Sequence, residues 1–276
     1  QTILQLAVQG RLTEQDPDDE PAEALLERIQ MEKQRLYHAG EIRRSWNMSD
    51  ITENEVPFEL PKGWVWTRFN HVLYDIEAGW SPKCESHPAN EDEWGVLKVS
   101  AVSWGRFQPS ENKHLPEGKE PRPDIVVQSG DFLMSRANTE ELVARSVVVE
   151  KTPPKLMMSD KVLRVWLPDL IDRRYVNFVN NSPPSRNHYA QEASGTSASM
   201  KNVSRRVVRS LLFPLPPLAE QKRIVETVDR LLAVCDRLAE RLQDAEATGA
   251  AWCASALAGA VEAAGEEVIA AGVAAG

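Results

Sequence analysis

Apolar residues recur every three or four positions along a mostly charged stretch near the C-terminal end of the chain. The series is Ile224, Val228, Leu231, Cys235, Leu238 and Leu242. Because this spacing has a period of about 3.5 residues, the six side chains form one stripe along a helix. A stripe so narrow on so charged a helix favours a coiled-coil interface, and packing on the core of its own domain is the alternative.

Three prolines between residues 214 and 217 set the start of this helix. Proline disrupts a helix interior but is tolerated in the first turn, so the helix is predicted to begin directly after them. Glu220 then lies in the first turn, where the helix dipole stabilises a carboxylate. We expect the helix over residues 218–260 and an alanine-rich tail over residues 261–276.

Two shorter amphipathic segments at the start of the chain predict further helices. Residues 1–9 form the first, and Gly10 stands where a C-terminal cap belongs. An acidic, proline-containing turn then precedes a second helix over about residues 22–37. Both lie in a helical region over residues 1–46, and either is a candidate partner for the C-terminal stripe. The polar, proline-spaced residues 47–60 are predicted to be a linker.

Short apolar runs between proline, glycine and asparagine clusters predict strands in the middle of the chain. They begin at Trp64 and continue at residues 95–102, 124–127, 131–134, 142–149 and 162–167. Residues 172–192 are predicted to be helical, with a break at two prolines, Pro183 and Pro184. Many strands with few, ungrouped helices favour an α+β domain with a mixed or antiparallel sheet over residues 61–217.

The charge of the chain is unevenly distributed. The formal net charge is −9, yet residues 61–217 carry 21 Lys and Arg against 18 Asp and Glu. The middle is therefore mildly basic, while the helical flanks are acidic. A basic face on an otherwise acidic protein is compatible with a nucleic-acid partner.

The candidate motifs for catalysis and metal binding each lack residues that the function requires. Residues 182–185 lack the amide and the aromatic residue of an amino-methyltransferase motif, and residues 195–199 lack the Gly-Lys-Ser/Thr of a nucleotide-binding loop. Cys84 and His87 have ligand-like spacing, with His114 further on, but a structural zinc site needs four ligands. We therefore predict neither a catalytic site nor a metal site.

Three polar loops remain, with side chains suited to DNA. They lie at residues 80–83, 135–139 and 195–202. Arginine and lysine bind guanine or phosphate, asparagine pairs with adenine, and serine and threonine contact phosphate oxygens. Taken singly, each loop is more simply explained as a solvated turn.

Several stretches together resemble the specificity subunit of type I restriction-modification systems. They are LPKGWVW, GVLKVSAV, GDFLMSRANTEELV, the long segment from SGTSASMKN through PLPPLAEQ to LLAVCDRL, and ILQLAVQGRLTEQDPDDEPAEALLERI at the front. In that family, two target recognition domains alternate with two helices that form an antiparallel coiled coil. The chain resembles the second half, with one recognition domain and its flanking helices. It is either a fragment or a half-subunit that pairs with itself, and the absent initial methionine suggests a start inside a longer protein or processing.

The resemblance implies a subunit without catalytic activity and without a cofactor of its own. The recognition domain would read a few base pairs of a bipartite site in double-stranded DNA, while the helices set the gap between half-sites. The helices would also bind modification subunits, which use S-adenosylmethionine to methylate adenine, and restriction subunits, which use ATP and Mg²⁺. The scattered cysteines and the lack of a membrane span fit a cytoplasmic protein.

The resemblance and the three loops together imply a set of DNA-contacting residues. They are Lys83, Arg136, Asn138, Thr139, Ser197, Lys201 and Asn202. A structural role for Arg136, in which it pairs with an acidic neighbour, is the alternative for that residue. A coiled-coil scaffold or regulator whose middle domain binds protein is the alternative for the whole chain, and it predicts no steep salt dependence of DNA binding.

Overall fold

The computed structural model describes residues 2–44, 46–197 and 200–274 and divides the chain into two units, residues 1–228 and residues 229–276. The helices are α1 (Thr2–Val8), α2 (Ala22–His38), α3 (Phe69–Val72), α4 (Arg173–Asn181), α5 (Pro183–Glu192), α6 (Arg205–Ser210) and α7 (Leu218–Ala274). Gly10 follows α1 with a φ of +66°, and a Cβ atom there would lie 2.3 Å from Pro61. The predicted helices at both ends and the break at Pro183 are confirmed.

The strands of the first unit form small, mostly antiparallel sheets. They are β1 (Val65–Arg68), β2 (Asp75–Ala78), β3 (Gly95–Leu97), β4 (Asn112–His114), β5 (Phe132–Ser135), β6 (Ala137–Asn138), β7 (Ser146–Val148), β8 (Leu156–Met157), β9 (Val162–Trp166), β10 (Ser194–Ser197), β11 (Met200–Asn202) and β12 (Leu212–Leu215). The strand orders are β2-β9-β5-β7, β4-β3-β8, β10-β11-β6 and β1-β12, and the β3–β8 pair is parallel. The α+β prediction with a mixed or antiparallel sheet is confirmed.

Some predicted strands are shorter or absent. Residues 123–125 form a 3₁₀ turn instead of a strand, and Val126 adds only a single bridge to Met157. Pro123 explains the difference, because it has no N–H to donate to a neighbouring strand. The run over 95–102 is a strand only to Leu97, after which a second 3₁₀ turn begins.

The N-terminal helices share the hydrophobic core of the central domain. Val8 of α1 and Leu25 and Ile29 of α2 belong to the same buried cluster as Tyr175 and Phe213. The division into a helical region and a separate recognition domain stays a prediction. In the structure, residues of both parts pack in the same hydrophobic core. Residues 49–55 of the predicted linker are held to this unit by the Arg68 guanidinium.

The start of α7 is fixed to the first unit by two polar side chains. The buried Glu220 carboxylate accepts hydrogen bonds from the Trp64 ring N–H at 2.7 Å and from Thr13 and Gln15 at 3.2 and 3.0 Å. The Gln221 side chain accepts from the main-chain N–H of Asp172 and donates to a main-chain oxygen in the proline segment. This hydrogen bonding explains the Glu-Gln pair directly after the prolines.

In the second unit, the structure describes residues 229–274, which continue α7 past the predicted end at residue 260 to Ala274. Of the six stripe residues, Ile224 and Val228 are buried in the first unit, and Leu231 is half-buried. Cys235, Leu238 and Leu242 are exposed. Coiled-coil pairing along this stripe stays a prediction. Within the described residues, no helix is both long and apolar enough for a membrane span.

Candidate nucleic-acid interface

Two of the three predicted DNA loops lie side by side in one small sheet. β6 comes from the loop at residues 135–139, and the hairpin of β10 and β11 comes from the loop at residues 195–202. In the register, Lys201 is opposite Asn138 and Asn202 is opposite Ala137. The structure therefore unites residues that the sequence separates widely, and it forms strands where flexible turns were predicted.

Gly195 allows the hairpin to close. Its φ is +126°, and an added Cβ would lie 2.4 Å from the main-chain oxygen of Met200. No other residue fits such an approach without a backbone shift. Its carbonyl oxygen accepts a hydrogen bond from the Lys201 ammonium at 3.0 Å. Ser197 is exposed at the end of β10 and pairs with Met200 in the register.

Arg136 is held by its main chain and presents its side chain to solvent. Its N–H donates to the oxygen of Lys161 at 2.8 Å, and its oxygen accepts from Val203 at 3.0 Å. The guanidinium is exposed and reaches the main-chain oxygen of Asp160 at 3.5 Å. Within the described part of the chain, no ion pair joins it to a carboxylate. The described residues therefore do not show the ion pair that the structural alternative predicts.

The loop that carries Lys83 is anchored beside Arg136. The Trp80 N–H donates to the oxygen of Met158 at 3.0 Å, and the Ser81 hydroxyl bonds the Asp160 carboxylate. Asp160 therefore contacts both the Ser81 side chain and the Arg136 guanidinium. Lys83 itself is exposed two residues beyond this anchor.

The Asn138 amide is already engaged within the protein. Its Nδ2 donates to the Ser103 hydroxyl at 2.9 Å, and its Oδ1 accepts from the Thr139 N–H at 2.9 Å. The side chain thus keeps one N–H for a ligand. Asn138 is better suited to positioning the strand than to a bidentate contact with adenine, whereas Thr139 is exposed. The residue after Ser103 is Trp104, whose side chain is 61% exposed.

Several basic residues lie between positions 186 and 209, and the structure places them in two kinds of environment. Arg186 is largely buried and donates to the main-chain oxygen of Val143, and Arg209 is buried against Asp75. Both have structural roles. Arg205 is half-buried, and its pKa is lowered by burial and then by the positive charge of Arg43, with a smaller contribution from Arg136. Sequence reasoning left Arg205 out of the DNA set, because only the fold places it near Arg136.

One group of metal-ligand side chains lies outside this surface. Among the described residues, Glu85, His87 and His114 offer ligand atoms that all lie within 4.8 Å of one another. Sequence spacing grouped His87 with Cys84, whereas Glu85 carries no such signal, because a lone glutamate in a polar loop is common.

Similarity to known proteins supports the family resemblance of the sequence. No protein-family model matches the chain. The chain is 43% identical over 250 residues to the type I restriction enzyme EcoEI specificity subunit of Escherichia coli, and 30% identical over 242 residues to the EcoAI specificity subunit. These matches cover 90% and 87% of the chain. The chain is homologous to type I restriction enzyme specificity subunits.

The homology covers only part of each specificity subunit. The chain spans 42% of the EcoEI subunit and 40% of the EcoAI subunit. Among solved structures, the HsdS subunit from Thermoanaerobacter tengcongensis aligns with a TM-score of 0.45 at 20% identity, over 79% of this chain and 50% of that one. The chain thus spans less than half the length of the EcoEI and EcoAI subunits.

Proposed function

We propose that this chain is the DNA-reading part of a type I specificity subunit, and that it reads one half of a bipartite site without catalysing a reaction. The recognition surface would consist of the small sheet, its edge loops and the neighbouring loop. Its residues are Lys83, Arg136, Asn138, Thr139, Ser197, Lys201 and Asn202. The observation that carries the proposal is the pairing of Lys201 with Asn138, which joins two polar segments beside the exposed Arg136.

The residues of the recognition surface divide into two roles. Arg136 has a rigid main chain and an exposed guanidinium, so it is suited to a bidentate contact with guanine. Lys201 and Lys83 are suited to phosphate contacts, which position the protein without reading sequence. Asn138 would hold β6 in place and use its remaining N–H for the DNA.

The helices would serve assembly. α7 presents exposed leucines at positions 238 and 242 in the second unit. Exposed apolar residues at helical spacing mark an interface with another helix. We propose that this face pairs with a helix of the same complete subunit or of a second copy, and that modification and restriction subunits bind to the paired helices. S-adenosylmethionine, ATP and Mg²⁺ would be bound by those partners.

The test is DNA binding by the purified chain, alone and with its modification subunit, to a pool of random duplexes. Selection and sequencing should enrich a short motif that matches one half of a bipartite site. The affinity for the enriched duplex should fall steeply as salt rises, because each phosphate contact releases a counterion. Absence of any enriched motif in both preparations would contradict the proposal.

A coiled-coil scaffold that binds protein is the second candidate function. The net charge of −9 and the exposed leucines of α7 favour it. It predicts helix-dependent binding of partner proteins with no enrichment of duplexes and no steep dependence on salt. The same two measurements therefore distinguish the two functions.

A further inference from the structure

We propose that Glu85, His87 and His114 form a binding site for a divalent transition metal ion, with zinc the best match to the ligands. The three residues lie in the loop between β2 and β3 and at the end of β4. Their ligand atoms lie within 4.8 Å of one another. Two imidazoles and one carboxylate, with a position left for water, match a zinc site with three protein ligands.

The main chain sets the three residues side by side. The Glu85 N–H donates to the oxygen of His114 at 3.0 Å, and the His114 N–H donates to the oxygen of His87 at 2.9 Å. These two main-chain hydrogen bonds hold the loop against β4. The two imidazole rings stack at a centroid distance of 5.1 Å with an angle of 15° between their planes. A site built on paired main chains is positioned before any ion arrives.

The hydrogen bonds of His87 leave a place for a cation. Its Nδ1 lies 2.9 Å from the main-chain oxygen of Pro88, which can only accept, so Nδ1 carries the proton. In a neutral ring, Nε2 is then an acceptor, yet it lies 2.7 Å from Glu85 Oε2. Two acceptors at this distance need a positive charge between them, either a proton or a metal ion.

Like His87, His114 has one ring nitrogen beside Glu85, but in His114 this nitrogen is Nδ1 instead of Nε2. Its Nδ1 lies 3.2 Å from the same oxygen of Glu85, and its Nε2 points toward Glu93 at 3.9 Å. Glu93 is itself held by the N–H of Asn90 at 2.9 Å. In metal sites, the ring nitrogen that does not bind the ion donates to a carboxylate or a main-chain oxygen. Pro88 provides this acceptor for His87, whereas the Glu93 carboxylate lies beside His114 Nε2 at a distance longer than a hydrogen bond.

Two of the three distances between ligand atoms are already close to those expected for zinc, and the third is within 4.8 Å. Zinc binds nitrogen and oxygen at about 2.0–2.2 Å, so its tetrahedral ligands lie roughly 3.3–3.6 Å apart. Glu85 Oε2 is already 2.7 and 3.2 Å from the two ring nitrogens. Glu85 and His87 are about half-exposed, which leaves them room to move and gives solvent access to the ion.

A bound ion would clamp the loop that carries Lys83 onto β4. Lys83 precedes Glu85 by two residues, so the clamp would order one edge of the polar loop. The metal site does not rest on DNA binding, however, since its ligands and geometry stand by themselves.

The experiment is direct metal binding to the purified full chain. After metal removal, Zn²⁺ is titrated by calorimetry, and Co²⁺ is used as a visible absorption probe. We expect one ion per chain with a Kd of about 10 μM or tighter. The cobalt complex should lack a sulfur charge-transfer band, because Cys84 is not among the ligands. His87→Ala and Glu85→Gln should each weaken binding at least about tenfold, since even an outer partner of a ligand is worth 10–100-fold.

Matched variants keep the test specific. His38→Ala removes another exposed histidine, and Cys84→Ser removes the neighbouring thiol. Both should bind Zn²⁺ like the parent chain. Thermal melting without metal should show that His87→Ala, an exposed change, folds normally. Failure of the parent chain to bind one equivalent, unchanged binding in His87→Ala, or loss of binding in Cys84→Ser would each overturn the site.

Discussion

Lys201 lies directly opposite Asn138 across the antiparallel pair of β11 and β6. The pair joins a hairpin near the end of the central domain to a strand from its centre. Arg136 immediately precedes β6, and Val203 immediately follows β11, and these two residues are also hydrogen-bonded through their main chains at 3.0 Å. Main-chain pairing therefore holds together the two segments that the proposed recognition surface combines.

Replacement of Lys201 by alanine should weaken binding to all duplexes alike. Its ammonium bonds only a main-chain oxygen, that of Gly195, among the contacts described, so it can exchange that partner for a phosphate. We expect the slope of log affinity against log salt to decrease in magnitude by about 1. Fluorescence anisotropy with specific and random duplexes at several salt concentrations measures both quantities.

Lys151→Ala is the matched control for the loss of one positive charge. Lys151 is exposed and lies beyond one end of the β5–β7 pair, where Phe132 pairs with Val148. Arg136 lies beyond the other end of this pair. Its replacement should leave the salt slope unchanged. An equal decrease in both variants would assign the effect to net charge instead of to the recognition surface.

Arg136→Lys should separate base reading from charge. Lysine keeps the positive charge but lacks the planar fork that binds guanine in two places. We therefore expect the affinity for random duplexes to be retained, while discrimination at one base pair falls by about 1–3 kcal/mol. Binding to a set of duplexes with single base-pair changes measures this. Undiminished discrimination at every position would rule out base reading by Arg136.

Glu220→Ala should destabilise the first unit by about 1–3 kcal/mol. The buried ring N–H of Trp64 would lose its acceptor, and Thr13 and Gln15 would lose theirs. Urea unfolding followed by tryptophan fluorescence gives the free energy of unfolding. Glu226→Ala, an exposed change on the same helix, serves as control and should cost far less. Equal effects of the two changes would contradict the role of Glu220.

Lys33 should make the free energy of unfolding increase with pH. The side chain is buried, and its ammonium donates to the main-chain oxygen of Asn70. Burial, and then the charge of Arg209, lower its pKa to about 7. In the unfolded chain the pKa is about 10.4. Between these values the unfolded chain binds a proton that the folded chain does not, so this group makes stability rise with pH.

Lys33→Met removes this titration. The gain in the free energy of unfolding of Lys33→Met over the parent chain should be largest at pH 6, because there the folded parent chain must bury a charged Lys33. The advantage should shrink by up to about 1.4 kcal/mol per pH unit between pH 7 and pH 10. Lys62→Met, at an exposed lysine, is the control. A difference between Lys33→Met and parent that does not vary with pH would show that Lys33 keeps an ordinary pKa.

Local signals predicted the helices well, because caps and prolines act within a few residues. Gly10 and the break at Pro183 were read correctly for that reason. Strand β2 was missed, since Asp75 and Glu77 resemble loop residues when taken alone. In the structure both carboxylates pair with distant arginines, Asp75 with Arg209 and Glu77 with Arg164. Such partners cannot be identified from local sequence.

The candidate site was predicted as three separate loops, and its arrangement depends on non-local pairing. The polar composition around Gly195 hides the alternation that marks a strand, so the hairpin was expected to be flexible. Only the pairing with β6 reveals that Lys201 and Asn138 belong together. The internal hydrogen bonds of Asn138 likewise depend on Ser103, which no motif connects to it.

The most direct test of DNA recognition is the affinity of the double variant Arg136→Ala, Lys201→Ala for the duplex enriched by the parent chain. The measurement is fluorescence anisotropy at about 0.15 M salt, where exposed charges further apart than about 8 Å are largely screened. An unchanged melting temperature verifies the fold. We predict that specific binding is lost, down to the level of random duplexes. Binding of the enriched duplex with the affinity of the parent chain would contradict the recognition surface.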